Sequence, residues 1–454
     1  MRPEHLPENY YFGGTGATFV SAPALWLFFL CAILVFVVPR RYVIAPFFIA
    51  ALLVPLGNVI VVGGMHWMLL RCLLLIGWAR VLWSRFARGD KRGPGQMNSL
   101  DKVFGLWAIS GAVIYAIDWG TLGALTNRVG FLYTTLGCFF LVRYFVRDSS
   151  DVTRAIRVLA LVCILVAPFM IAERLTGTNY YFSAFGGGSQ FSTLREGKFR
   201  AQGPFAHPII AGTVGAMLLP LFIGLWRKER GHRLWAGLGA AAALTMAVTS
   251  NSSTPAMTTL AGVGALTLWP LRERMRVIRW GIVAALVALQ VVMKADVWFL
   301  INRIGSLMGG SSWHRAELVD QCVRHFGDWW LIGTRNNAYW GLDMWDVDNA
   351  YVGAGFSGGL ITLLLFIAVL VFAFKKLGAV RRMARHDKKT EWFIWALGAT
   401  LFANTVGFFG IVYFDQSATI WYAVLAMISA VAVGIGDAKP DADPACPLGP
   451  EGCA

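Results

Sequence analysis

Residues 350–374 read AYVGAGFSGGLITLLLFIAVLVFAF, a run of 25 residues without a charged side chain. A helix that crosses the hydrocarbon core of a bilayer needs about 20 mostly apolar residues, so this stretch predicts a transmembrane helix. Stretches of the same kind recur along the whole chain. The sequence therefore indicates a protein built from membrane-spanning helices.

The hydropathy pattern predicts thirteen spans in all, at 21–39, 42–57, 65–84, 103–118, 122–142, 155–173, 208–226, 234–250, 254–271, 278–293, 350–374, 391–413 and 417–436. The span at 42–57 is short enough to be re-entrant, and twelve or fourteen spans are also compatible with the pattern. The predicted fold is an all-α polytopic membrane protein with about 12–13 transmembrane helices and a large, partly helical outer loop.

The composition excludes other classes of protein. Of 454 residues, 57% are hydrophobic and 14% charged, and the mean hydropathy is +0.59, whereas a soluble domain carries about 25% charged residues. This shortage of charge excludes a soluble enzyme, a disordered protein and a secreted disulfide scaffold. The net charge of +15 would ordinarily suggest a nucleic-acid partner.

The positions of the charged residues along the chain explain the excess of basic residues in another way. Strongly basic loops fall at every second turn of the chain, at Arg40/Arg41, Arg85–Lys102, Arg143–Arg157, Arg227–Arg233, Arg272–Arg279 and Lys375–Lys389. With the N-terminus outside, the inner side receives 28 Lys and Arg against 12 Asp and Glu, and the outer side 12 against 13. The basic excess is therefore an orientation signal and predicts no nucleic-acid partner.

This topology divides the chain into segments. They are an outer N-terminal segment at 1–20 without a signal peptide, spans 1–10 at 21–293 with an outer loop at 174–207, a large outer loop at 294–349, spans 11–13 at 350–436, and an inner tail at 437–454. The seven cysteines show neither a disulfide framework nor metal spacing, and no nucleotide-binding motif occurs. No metal and no other cofactor is predicted.

The two long outer loops contain basic residues that the orientation rule does not require: Arg195, Lys198, Arg200, Lys294, Arg303, Arg315, Arg324 and Arg335. A guanidinium binds phosphate or diphosphate in bidentate fashion, which would explain them. Alternatively, they pair with carboxylates of the same loops. The second explanation is weakest for Arg200, which lies in FRAQGPFAHP with Glu196 as its nearest acid.

Two arginines, Arg71 and Arg128, fall within predicted spans close to the outer surface. An ionisable residue at membrane depth is a candidate for function, although snorkelling to the interface is the alternative. Asp118 and the Glu173–Arg174 pair are expected to be interfacial charges at span ends.

Outer-side histidines are candidate bases near neutral pH. These are His207, His314 and His325, besides His5 and His66. His207 precedes Pro208 at a helix start, so a capping or packing role explains it equally well.

The segment AELVDQCVRHFGDWWLIG at 316–333 predicts an amphipathic helix, with Leu318, Cys322, Phe326 and Trp330 at spacing four. The favoured interpretation is a helix that lies on the membrane or caps the bundle. The alternative is a platform on which the loop's aromatic rings stack against sugars.

Three patches of sequence resemble the O-antigen ligase and O-antigen polymerase superfamily of bacterial inner-membrane glycosyltransferases. The patches are Arg200-Ala-Gln-Gly-Pro-Phe-Ala-His207-Pro208, then Ser311-Ser312-Trp-His-Arg315 followed by Leu331-Ile-Gly333, and Asp348-Asn349-Ala-Tyr351 followed by Gly355-Phe-Ser-Gly-Gly-Leu360. The TSNSSTP turn at 249–255 is a weaker match because the family's arginine is missing. The likeness covers roughly residues 155–436.

The resemblance implies a metal-independent enzyme that transfers a glycan from undecaprenyl diphosphate to an acceptor, either another glycan or lipid A-core. Its active site would face the periplasm, and polysaccharide-export proteins would be possible partners. Fixed arginines stabilise the charge of a diphosphate leaving group, and Arg200 and Arg315 are the predicted pair. Further candidates for contact with the donor are Arg303, His207, His314, Asn349, Arg128 and Arg71.

One position departs from the ligase pattern. Where ligases have a histidine before the asparagine, a candidate base for the acceptor, this chain has Asp348. A carboxylate can do the same work, and superfamily chains with Asp-Asn resemble exopolysaccharide polymerases more than ligases. The sequence thus favours a polymerase over a ligase. Outside this class, a flippase of lipid-linked glycans and a receptor or structural protein stay open.

Overall fold

The structure is a computed structural model that describes residues 18–63, 65–86, 96–228, 230–306 and 313–436. The predicted tail at 437–454, most of the N-terminal segment at 1–20 and the Ser311–Ser312 pair lie outside these residues. The described helices are α1 (Ala22–Val37), α2 (Ile44–Leu53), α3 (Leu69–Phe86), α4 (Ser99–Trp119), α5 (Leu122–Phe145), α6 (Ser149–Thr176), α7 (Tyr180–Phe185), α8 (Pro208–Lys228), α9 (Arg233–Thr249), α10 (Ser253–Thr267), α11 (Met275–Val292), α12 (Leu300–Ser306), α13 (Trp313–Arg324), α14 (Phe326–Trp329), α15 (Ala350–Met383), α16 (Lys388–Gly407) and α17 (Asp415–Gly436).

Two short antiparallel hairpins complete the described secondary structure. Strands β1 (Val59–Val62) and β2 (Met65–Met68) pair with Val59 opposite Met68. Strands β3 (Leu194–Arg195) and β4 (Lys198–Phe199) form the second hairpin, with Leu194 opposite Phe199. Almost all of the regular structure is helical.

The prediction of an all-α polytopic membrane protein is confirmed. Each of the thirteen predicted spans overlaps a helix, namely α1–α6, α8–α11 and α15–α17, although the predicted span at 65–84 begins in strand β2 and its helix starts only at Leu69. Among the described residues, six helices are long and apolar enough to cross a membrane: α4, α5, α6, α8, α11 with the turn before it, and α15. Helix α2 has only 10 residues and is followed by the first hairpin, a shape that fits the re-entrant alternative.

Helix boundaries follow from polar residues that cap exposed backbone groups. Asp148 accepts hydrogen bonds from the amides of Ser150 and Asp151 at the start of α6, and Gly177 ends that helix in the left-handed conformation with φ +75°. Asn98 forms a reciprocal capping box with Asp101 at the start of α4. These side chains satisfy amides that have no partner within the helix.

The loops separate into two opposite ends of the bundle. One end, here called the basic end, joins the predicted inner loops through Arg40–Asp151 at 3.1 Å, Lys228–Thr153 at 2.8 Å and Arg272–Glu391 at 3.1 Å. The opposite end, here called the loop end, holds residues 174–207, 294–306 and 313–349. This segregation is what the alternation of the thirteen predicted spans requires.

Helix α8 lies at the centre and α11 at the periphery. Most of α8 is buried against α6, α9, α10 and α16. Helix α11 buries no residue within the described structure, and its apolar side chains, such as Trp280 and Val287, are exposed. An apolar helix in this position presents its surface to lipid.

Helix α15 is interrupted where the large loop reaches it. Gly358 and Gly359 leave the helical conformation, with φ of −168° and +67°. The Leu360 amide donates to the Trp330 carbonyl at 2.7 Å, and the Thr334 amide donates to the Phe356 carbonyl at 3.0 Å. Backbone of the loop thus satisfies backbone groups that the interruption releases, as interrupted membrane helices require.

The segment at 316–333 is not one continuous helix. Helix α13 ends at Arg324, and the short α14 follows. Leu318 and Cys322 are buried with Trp329, whereas Phe326 and Trp330 are half exposed. The chain turns after Arg324 because Trp329 packs against the start of α15, so the segment caps the bundle.

Candidate functional site

The first turn of α10 brings two distant arginines together. Arg200 Nη2 donates to the Ser252 hydroxyl at 2.7 Å, and Arg315 Nη1 donates to the Ser253 hydroxyl at 2.9 Å. The two serines are consecutive, and they belong to the TSNSSTP turn that the sequence had marked as a weak match. Arg200 and Arg315, predicted from separate loops, therefore meet at one helix terminus, here called the α10 site.

Short backbone contacts hold Arg200 in place. Its amide donates to the Thr193 carbonyl at 2.9 Å, and the next amide, of Ala201, donates to Thr249 at 3.1 Å. Asn251, with φ +46°, donates from its side chain to the Arg195 carbonyl at 3.1 Å. The β3–β4 hairpin and the turn before α10 thus form one unit.

Glu173 holds the same loop through hydrogen bonds to its carboxylate. The prediction that Glu173 is an interfacial charge is therefore wrong. Its carboxylate is buried and accepts from the amides of Gln202 at 3.0 Å and Gly203 at 2.8 Å. It also accepts from Ser192 at 2.8 Å and Asn179 at 3.2 Å. Because four donors surround one buried acid, Glu173 fixes the path of the chain that leads away from Arg200. Arg174, in contrast, donates to the Phe199 carbonyl.

Asp348 joins the α10 site through Arg315. Its Oδ2 atom accepts from Arg315 Nε at 2.9 Å, and its Oδ1 atom is buried without a hydrogen-bond partner among the described residues. Arg315 is only 6% exposed. Burial raises the pKa of Asp348, while the positive charge of Arg315 opposes that rise. The site therefore contains an acid with one engaged and one available oxygen.

Asn349 has a structural role. Its side-chain oxygen accepts from the amides of Tyr351 and Val352 and so caps α15. Its Nδ2 atom is buried without a partner in the described structure. The residue thereby fixes the direction of the chain next to Asp348.

The two predicted site histidines occupy different environments. His207 Nδ1 accepts from the Ile209 amide at 3.2 Å, which fits the capping interpretation. Burial, together with the positive charge of Arg200, lowers the pKa of His207 to about 4, so its ring is neutral at pH 7. His314 Nε2 lies 2.9 Å from the Asp346 carbonyl oxygen.

The remaining candidate arginines are not bonded to the serines of α10. The guanidinium of Arg128 lies 3.6 Å from the centre of the Tyr115 ring, and Arg71 Nη1 donates to the His66 carbonyl at 2.8 Å. Arg303 is an exposed residue of α12. Asp118, predicted to be interfacial, pairs with Arg335 at 3.2 Å.

The α10 site has the features of an oxyanion-binding site. Two guanidinium groups converge on the positive end of a 15-residue helix whose first turn receives no side-chain cap from Ser252. The Arg200 Nε atom is buried without a partner among the described residues. Such a site can hold a phosphate or diphosphate group, with a carboxylate next to it.

Comparison with known proteins adds no further identification: no model of a known protein family matches the chain, and no curated protein is similar enough to count as a relative. Within the described residues, no group of three or more His, Cys, Asp or Glu could hold a metal ion. The sequence did not identify Ser252 or Ser253 as site residues, and it assigned Glu173 a different role. The serine-rich turn SNSST was the feature of the sequence from which Ser252 and Ser253 could have been predicted as site residues.

Proposed function

We propose that the protein is a glycosyltransferase that polymerises glycans carried on undecaprenyl diphosphate at the periplasmic face of the bacterial inner membrane. The observation that carries this proposal is the convergence of Arg200 and Arg315 on the first turn of α10, with Asp348 paired to Arg315. The resemblance of the three sequence patches to the O-antigen superfamily supports it.

The proposed reaction is a displacement at the anomeric carbon of the donor sugar. An acceptor hydroxyl forms the new glycosidic bond, and the bond between the sugar and the diphosphate oxygen breaks. The diphosphate leaves with the electron pair, and Arg200, Arg315 and the amides of the first turn of α10 stabilise the developing negative charge. The Oδ1 atom of Asp348 accepts the proton of the acceptor hydroxyl.

The environment of Asp348 suits a base of moderate strength. Burial raises its pKa and so makes the carboxylate more basic than an exposed one, while the positive charge of Arg315 opposes that rise. His207 is a poorer candidate for this role because its ring accepts from the Ile209 amide. Asp348 in place of a histidine also favours polymerisation over ligation.

A flippase of lipid-linked glycans is the second candidate. The interruption of α15 at Gly358 and Gly359 favours it, because interrupted helices are typical of transporters. Against it, the buried charges of the α10 site lie at one end of the bundle rather than halfway through it. The ligase is the third candidate and differs from the polymerase only in its acceptor.

The test is reconstitution of the purified protein in liposomes with an undecaprenyl-diphosphate-linked repeat unit as the only glycan. A polymerase lengthens the lipid-linked glycan, and we expect Arg200→Gln and Arg315→Gln to abolish lengthening while the protein still accumulates. Arg335→Gln is the matched control, since that arginine is on the same face and 54% exposed. Full polymer yield from both site variants would overturn the proposal.

Other outcomes identify the alternatives. A ligase leaves the repeat unit unchanged until lipid A-core is added. A flippase moves the repeat unit between leaflets without forming any new glycosidic bond.

A further inference from the structure

A cavity lies inside the bundle, near the α10 site. It has a volume of about 230 Å³ and lies between α4, α5, α15 and the start of α17. Its walls include many aromatic residues, among them Trp107, Phe131, Phe366, Phe408 and Trp421. Among the described residues that line it, none is acidic and one, Arg128, is basic.

Polar atoms without partners are gathered around this cavity. The Nε atom of Arg128, the hydroxyl of Thr362 and the hydroxyl of Tyr413 are buried and have no hydrogen-bond partner among the described residues. Thr362 is only 2% exposed. Buried polar atoms normally have partners, so three of them around one apolar space indicate a site for a polar group.

The interruption of α15 lies beside the same cavity. Ser357, just before the break, and Thr362, just after it, both line the cavity. The second part of the helix begins at Leu360 and runs to Met383. Its first amide, that of Leu360, donates to the Trp330 carbonyl, so this end of the helix faces the loop, and Thr362 is the residue of its first turn that lines the cavity.

The cavity is close to Asp348 along the chain. Ala350 lines it and lies two residues after Asp348, and two residues of chain span at most about 7 Å. Ligands held in the cavity and at the α10 site would therefore meet near the Asp348 carboxylate.

We propose that the cavity is a second site for a polyprenyl phosphate or diphosphate, distinct from the α10 site. Arg128 and Thr362 hold the phosphate oxygens, and the aromatic side chains of the walls hold the first isoprene units. The inference rests on the proposed function and deepens it, since two lipid-linked glycans bound together are what polymerisation requires. The cavity then holds one lipid-linked glycan and the α10 site the other.

The test is the binding stoichiometry of farnesyl diphosphate, a short polyprenyl diphosphate, to the full-length protein in nanodiscs. We expect two equivalents for the unaltered protein. Arg128→Gln should weaken one of them by about 10- to 100-fold, the effect of losing one or two charge-assisted hydrogen bonds, and should leave farnesol binding unchanged. Thr362→Val, which keeps the shape of the side chain, should weaken the same equivalent by several-fold. Arg335→Gln is the control and should keep both equivalents.

The outcomes separate this inference from the proposed function. A single equivalent that is lost with Arg200→Gln and kept with Arg128→Gln would overturn the second site and leave the α10 site standing. Two equivalents that both survive Arg128→Gln and Thr362→Val would also overturn it. If Arg128→Gln removes an equivalent but Arg200→Gln removes none, the cavity site stands and the proposed role of the α10 site fails.

Discussion

Arg315 and Asp348 form a buried ion pair whose coupling can be measured. Arg315 Nε lies 2.9 Å from Asp348 Oδ2, and the two side chains are 7% and 25% exposed. Removing one partner of a fully buried pair costs about 3–5 kcal/mol, because the other charge is left without compensation. Since one quarter of the Asp348 side chain reaches solvent, we expect Arg315→Gln to lower the free energy of unfolding by about 3 kcal/mol.

A double-mutant cycle isolates the pair. Arg315→Gln also removes the hydrogen bond to Ser253, but this loss occurs with or without Asp348→Asn and therefore cancels in the cycle. The remaining coupling should be about 1.5–3 kcal/mol, the size of a hydrogen bond between charged groups. Tryptophan fluorescence during denaturant-induced unfolding in detergent micelles measures it for the four proteins.

The matched control is the pair between Arg335 and Asp118. It has a similar geometry, at 3.2 Å, but the arginine is 54% exposed, so its coupling should be only about 0.2–1 kcal/mol. Coupling between Arg315 and Asp348 no larger than in this control would refute the inference that the pair is buried and energetically significant. Coupling that persists unchanged when the pH is lowered until Asp348 is protonated would refute the ionic character of the bond.

Four further predictions test other parts of the molecule. Glu173→Gln replaces an oxygen that accepts two hydrogen bonds and should destabilise the protein by about 2–4 kcal/mol; faster hydrogen exchange at the Gly203 amide measures the effect. The folded-state pKa of His207, about 4, lies below its ordinary value of 6.5. The neutral ring therefore contributes to stability fully above pH 6.5, and this contribution, a few kcal/mol at most, disappears as the pH falls towards 4. His207→Asn should flatten the pH dependence of the melting temperature between pH 6.5 and 4. Gly333→Ala would place a Cβ 2.1 Å from the Phe356 carbonyl oxygen at a φ of +92°. It should lower the free energy of unfolding, measured by thermal unfolding, by at least about 1–3 kcal/mol. Gly327→Ala, whose Cβ meets nothing within 4 Å, should leave that free energy almost unchanged. Polymerisation should lose rate as the pH falls through the raised pKa of Asp348, because only the ionised carboxylate accepts a proton; a rate without such a fall would contradict its role as the base.

Local sequence patterns were sufficient to predict the helices of the membrane spans. Whether a segment such as 155–173 or 350–374 forms a span depends on its own length and apolar content, so each could be predicted without its neighbours. The break at Gly358 and Gly359 escaped prediction because it depends on backbone of residues 330–334, which supplies the partners for the interrupted helix.

The candidate site could be predicted only in part. Arg200 and Arg315 were predicted from their position in the long loops together with the family resemblance, and Asp348 from the resemblance alone. Their neighbours in the site were not identified, because Ser252 is 52 residues from Arg200 and Ser253 is 62 residues from Arg315. Glu173 was misassigned because its position at the end of an apolar span gives no sign of the four donors that surround it.

The bundle of membrane helices and the alternating charge of its loops follow from the amino-acid pattern, because hydropathy and arginine content are properties of each segment alone. The meeting of Arg200 and Arg315 on the first turn of α10, and the position of Arg128 at a separate cavity, became visible only once the helices were packed together. The physical reason is that hydrogen bonds and cavities form between segments, and packing of the helices alone sets which segments meet.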